Sequence, residues 1–198
     1  GSEISSLFEA GADIFRLNFS HGDHATHLKT ITTIRALARE TKCNIAILQD
    51  LQGPKIRCGH LLNEGMNITQ GQTYTLISAE KQVDPLEIPI DYENLSNDIQ
   101  KDEKIMMDDG KLIFTVVAIN SDEVSVQAEN SGFLQSRKGI NFPTSRLSVP
   151  AVTEKDNRDL LFGISNEVDM IALSFIQSVE DIHRCRSIIH ALGSDIPI

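Results

Sequence analysis

The hydrophobic pattern of this chain changes character at Gly53-Pro54 and changes back near Pro150. Before the first point, apolar residues recur at helical spacing or in short unbroken runs. Leu28, Ile31, Ile34, Leu37 and Ala38 follow one another at three- and four-residue steps or side by side, which predicts a helix from His24 to Thr41. DIFRLNFS (13–20) and NIAILQD (44–50) read as strands, the second apolar enough to be buried on both faces of a parallel sheet. SSLFEAGAD reads as the end of a helix stopped by Gly11. From 54 to 148 there is no helical stripe. TYTLIS, LIFTVVAI and EVSVQAE alternate apolar with polar residues, and turn residues part them: Asn63-Glu64-Gly65, Asp108-Asp109-Gly110 and Asn120-Ser121-Asp122. That pattern predicts a small antiparallel sheet or barrel. After Pro150, Thr153 with Asp156 three residues on opens a helix. VDMIALSF (168–175) reads as a buried strand, Ser178 with Asp181 opens a second helix that Gly193 stops, and DIPI reads as a strand beginning.

Alternating helices and strands build a parallel sheet, open or closed. The chain therefore divides into 1–53, an all-β insertion at 54–148, and 149–198. A complete (β/α)8 barrel takes about 250 residues. The roughly 100 residues outside the insertion make at most part of one. Gly1-Ser2 reads as a cloning remnant, and both ends read as cuts through a longer chain.

Composition narrows the function. The formal net charge is −10. That leaves no broad basic footprint for nucleic acid, and the absence of Trp removes the best stacking surface for bases. An anionic ligand would have to be held by a few placed cations. Cys43, Cys58 and Cys185 lack CxxC spacing, which points away from zinc or a disulfide framework and toward a reducing, cytoplasmic setting. No apolar run reaches membrane length and no signal-peptide pattern opens the chain, so no membrane partner is expected.

Two motifs close strands. RLNFSHG (16–22) puts Arg16, Asn18 and Ser20 on one strand parity at a carboxyl end, where α/β barrels gather ligand residues. A guanidinium fork beside an amide and a hydroxyl suits a phosphorylated ligand; the plainer alternative is that Arg16 pairs with a neighbouring acid. His21, on the following loop, could touch a ligand. In DLQGPKIR (50–57), Asp50 meets the loop, Gly53-Pro54 allows a sharp exit, and Lys55 and Arg57 add cations, which could equally be a solvated hinge. His24 and His27, three apart on a helix, are expected to be solvated rather than metal ligands, because no HExxH pattern accompanies them. SRKGINFP (136–143) is a basic turn, and Asp108-Asp109-Gly110 is a turn signal.

In this order, RLNFSHG, DLQGPKIR, DDG, SRKGIN, VPAVTEKD and VDMIALSF resemble pyruvate kinase across nearly the whole chain. The resemblance implies part of a (β/α)8 TIM barrel with a β-barrel lid domain inserted after the third strand. It also implies a cytoplasmic, homotetrameric parent that transfers a phosphoryl group from phosphoenolpyruvate to ADP, giving pyruvate and ATP in glycolysis. Arg16 then contacts the transferred phosphate. Asn18, Ser20, Asp50 and the Leu51 carbonyl match a monovalent-cation site. Asn18, His21, Arg57 and Lys138 match nucleotide-side positions. The family's catalytic Lys and its Mg2+ ligands fall after DIPI, so these 198 residues are expected to be inactive alone. Where many members carry Thr-Lys-Gly-Pro-Glu, this chain has Leu51-Gln52-Gly53-Pro54-Lys55. Lys55 puts an ammonium where K+ would otherwise balance an acid, which resembles the potassium-independent branch. Two rival readings remain: a free-standing β-barrel binding module on an α/β scaffold, and another phosphoenolpyruvate-using barrel enzyme such as a lyase.

Overall fold

The structure is a computed structural model that describes residues 2–121 and 123–198. Gly1 of the opening dipeptide and Asp122 of the turn at 120–122 lie outside the described residues. The chain forms two compact units: Gly1–Pro54 with Pro150–Ile198, and Lys55–Val149.

In the first unit, α1 (Ser2–Glu9) leads to β1 (Ile14–Asn18), α2 (His24–Thr41) to β2 (Ala46–Asp50), and α4 (Glu154–Ser165) to β11 (Met170–Ala172) and α5 (Val179–Ala191). The three strands form a parallel sheet in the order β1-β2-β11. Gly11, at φ 102°, follows α1 as a left-handed stop. Asp23 caps α2 through the Thr26 amide. Capping boxes open both later helices: Thr153 with Asp156, and Ser178 with Asp181. Ile31 and Ile34 of the expected stripe are buried under the sheet beside Ile47, but Leu28 is exposed and His27 takes the buried place instead. The strand expected over 168–175 is only three residues long, because Ser174 and Phe175 turn away, Phe175 in the left-handed region. DIPI forms no strand; a single bond from the Ile171 N–H to the Pro197 carbonyl runs it beside β11.

The second unit is built from β3 (Gly65–Ile68), β4 (Thr73–Ser78), β5 (Glu87–Ile90), β6 (Lys104–Met107), β7 (Leu112–Asn120), β8 (Glu123–Ala128), β9 (Gly132–Gln135) and β10 (Ile140–Asn141), with a 3-10 turn at Leu62–Glu64 and a short helical turn, α3 (Leu95–Asp98). Six strands run in the order β10-β6-β7-β8-β4-β5, and β3 pairs with β9. All pairings are antiparallel except β4 with β5, which is parallel. The stretch after Lys55 bridges both ends of the six-stranded sheet: Arg57 pairs with Gly139 beside β10, and Cys58 pairs with Ile90 on β5. Closing the ring in this way gives both ends of the six-stranded sheet a backbone partner. Alternate residues of each strand point inward, so Leu76, Ile88, Ile105, Phe114, Val124 and Val126 fill one core. The turn residues do what their chemistry suggests: Asn63, Glu64, Asp108, Asp109 and Ser121 all adopt positive φ.

Candidate functional site

At the carboxyl end of β1, Leu17 and Phe19 point into the core, which turns Arg16 outward. Its side chain is 61% exposed, and the guanidinium grips one oxygen of Asp50, Oδ2, from Nε at 2.8 Å and Nη2 at 2.5 Å. The strands are in register here, Arg16 opposite Leu48 and Asn18 opposite Asp50, so the guanidinium reaches two residues along the neighbouring strand. Arg16 is thus both paired with an acid and open to solvent. Ser174 Oγ, after β11, lies 3.4 Å from Asp50 Oδ1. The Asn18 side chain engages the turn that follows β1. Its Oδ1 accepts the Ser20 N–H at 2.9 Å, so the amide braces the turn that carries Ser20 and the exposed His21. Leu51 is buried, and its N–H donates to the Ala172 carbonyl. Arg16, Asn18, Ser20, Asp50 and Leu51 therefore gather where β1, β2 and β11 end together.

Behind this set lies a shell whose contacts the sequence did not reveal. Gly53, at φ 65°, donates its N–H to Asp156 Oδ1, and a Cβ at Gly53 would press on the Ser174 carbonyl at 2.8 Å. Asp156 is fully buried and also accepts from Thr153. His27 is not solvated: its ring stacks on Phe19 with centroids 4.0 Å apart, and Nε2 donates to the His21 carbonyl at 2.9 Å. His24 Nε2 lies 2.7 Å from Oδ1 of the buried Asp159. A carboxylate and a carbonyl can only accept, so both Nε2 atoms carry a proton. The signal was present in α4, whose buried residues Asp156, Asp159, Leu160 and Gly163 keep helical spacing; a carboxylate on a buried stripe demands a partner. Among the described residues no three His, Cys, Asp or Glu side chains converge as a metal site.

In the second unit, Arg57 is held by its backbone, the N–H donating to Asp91 Oδ1 and the carbonyl accepting the Asp91 N–H. Lys138 Nζ sits 2.9 Å from Asp108 Oδ1, and Lys111 Nζ sits 2.9 Å from Oδ2 of the same carboxylate. Asp108 is thus more than a turn residue. The hydrogen bond from the Lys138 ammonium, seconded by Lys111, holds its carboxyl below the ordinary range, and Asp108 in turn raises the Lys138 ammonium. Lys55 runs its stem past Gly139, its Cε 3.5 Å from where a Cβ there would stand.

Polar and charged groups collected at the carboxyl ends of parallel strands define the first unit as an α/β protein with its site where barrels of this class carry theirs. A family model described as pyruvate kinase, barrel domain, matches residues 1–198. Pyruvate kinase 2 of a Synechocystis strain is 41% identical over 199 residues, covering 98% of this chain and 34% of the relative. Pyruvate kinase of Geobacillus stearothermophilus is 36% identical over 191 residues, covering 96% of this chain and 32% of the relative. A crystal structure of a pyruvate kinase from Cryptosporidium parvum superposes with a TM-score of 0.90 at 32% identity, over 95% of this chain and 39% of that one. The chain belongs to the pyruvate kinase family, in its barrel domain. It spans about a third of the length of the curated relatives it matches.

Proposed function

We propose that the polypeptide to which these residues belong transfers a phosphoryl group from phosphoenolpyruvate to ADP, giving pyruvate and ATP, in the cytoplasm and as a homotetramer. The observation that carries this reading is Arg16: a guanidinium at a strand end, fixed on its inner side by Asp50 and open on its outer side. Phosphoryl transfer needs little covalent help and much placed positive charge, and a guanidinium held in this way loses little freedom on meeting a phosphate. Asn18 and His21 are assigned to the nucleotide side, with Arg57 and Lys138 of the β unit, and Lys55–Val149 is read as a lid whose closure would exclude water.

Asn18 Oδ1, Ser20 Oγ, Asp50 and the Leu51 carbonyl are hard oxygen donors of the kind a monovalent cation takes. They fit such an ion chemically, yet Arg16 already balances the charge of Asp50. With Lys55 in place of the family's acid, we read K+ as dispensable. Mg2+, when bound, neutralises charge on the phosphates; carboxylates outside these 198 residues are assigned to hold it. The same reading makes the 198-residue chain inactive alone.

Coupled pyruvate formation by the whole polypeptide, assayed in K+-free buffer, is the test. Turnover from phosphoenolpyruvate and ADP, changed little by added K+, is expected, and none from the 198-residue chain. A strong requirement for K+ would remove the role given to Lys55, and no turnover by the whole polypeptide would remove the reading itself.

A further inference from the structure

The α4 residues Lys155, Asp159 and Phe162 stand at i, i+4 and i+7, one face of the helix, and all three engage the turn after β1. Lys155 Nζ donates to the Phe19 carbonyl at 2.7 Å and to Asp159 Oδ2 at 2.5 Å. The other Asp159 oxygen takes the His24 ring proton. Phe162 stacks on His24 with centroids 4.2 Å apart and tilts against Phe19 at 5.9 Å. The Asp159 side chain is 4% exposed, and the two donors that meet it satisfy its buried oxygens. The Phe19 carbonyl lies in the middle of the turn whose flanks are Asn18, Ser20 and His21, and among the described residues its partner is the Lys155 ammonium.

We infer that Lys155 and Asp159 are positioning residues: the ammonium, aimed by the buried carboxylate, clamps the Phe19 carbonyl and so fixes where Asn18 and His21 present themselves. Neither residue touches a substrate in this scheme. Their effect passes through the turn and falls on the nucleotide-side groups, whereas Arg16 is anchored separately by Asp50. The inference deepens the proposed phosphoryl transfer and rests on it for its kinetic consequence, but the clamp itself does not.

The experiment has two arms. In the 198-residue chain, amide hydrogen exchange at Ser20 and His21 is expected to quicken by about tenfold in Lys155→Met, to stay slow in Lys155→Arg, and to be unchanged at Ile47 in both. Asp159→Asn, which keeps the volume, is expected to follow Lys155→Met. In the whole polypeptide, Lys155→Met is expected to raise KM for ADP by about tenfold while KM for phosphoenolpyruvate stays within about twofold, with Lys155→Arg restoring the first. A merely structural lysine would move both constants together. Unchanged exchange at Ser20 and His21 overturns the clamp. Equal changes in both KM values overturn the positioning role. A wild-type polypeptide without turnover overturns the proposed function instead, and the exchange arm then decides the clamp by itself.

Discussion

The two units treat their strand edges in opposite ways. In the β unit, the segment at Arg57 and Cys58 bridges both ends of the six-stranded sheet, and the core fills the ring. In the parallel unit, among the described residues, β1 pairs only with β2, and β11 makes on its far side only the bond its Ile171 N–H donates to the Pro197 carbonyl. Its core depends on helices laid across the sheet: Ile31 and Ile34 from α2, Leu160 from α4, Cys185 and Ile189 from α5. The difference is one of where function can be placed. A closed ring satisfies itself and can present loops freely, while a three-stranded parallel sheet spends its strand ends and helix caps on holding loops still, as Asp156 and Lys155 do.

The largest expected effect would break this comparison. Both tyrosines, Tyr74 and Tyr92, lie in the β unit, and the chain has no Trp, so tyrosine fluorescence reports that unit alone. Phe114→Ala, at a site with no exposure, should cost about 3–5 kcal/mol and move the fluorescence transition in urea. Ile47→Ala in the parallel unit should cost about 2–5 kcal/mol and move the helical circular dichroism instead. If each variant shifts both signals equally, the units unfold as one and the contrast falls.

A smaller effect sharpens the account of the parallel unit. Gly163 leaves just enough room on α4 for Gln49, whose Nε2 donates to the Asp159 carbonyl at 2.7 Å. Gly163→Ala would gain up to about 1 kcal/mol in helix propensity but lose about 1–3 to the clash. Net destabilisation, reversed when Gln49→Ala is added, is the expected double-mutant cycle; a stabilised single variant would contradict the packing.

The smallest effect belongs to the β unit. Burial, helped by Asp98, pushes the Tyr92 hydroxyl up to about 12. Its folded value exceeds the unfolded one, near 10, so the stabilisation is complete below about pH 10 and is lost as pH rises toward about 12. Tyr92→Phe should cost about 1 kcal/mol at neutral pH, through the lost bond to Asp98, and should flatten the alkaline loss seen by urea titration. An unchanged alkaline slope would assign that loss elsewhere.

Much of this architecture was legible in the sequence because period and caps are local. The switch of pattern near Pro54, the stripe of α2 and the boxes at Thr153 and Ser178 need only neighbours to be read. What escaped needed distant partners. His24 and His27 look like solvated helix residues until α4 and Phe19 are brought against them, and Asp108 looks like a turn until Lys138 arrives from thirty residues on. The parity that places Arg16 outward was readable, but the bond that ties the Asn18 side chain to the Ser20 N–H was not.

The seam that closes the β ring has a consequence for anyone wishing to attach a probe. Cys58 sits in it fully buried, its Sγ accepting the Lys138 N–H and donating to the Gln135 carbonyl, and burial raises its thiol. Cys185 is equally enclosed, and burial pushes its thiol to about 11. All three cysteines are among the described residues, and only Cys43 is exposed. A maleimide dye should therefore mark the native chain at one place, the end of α2, with no cysteine removed beforehand.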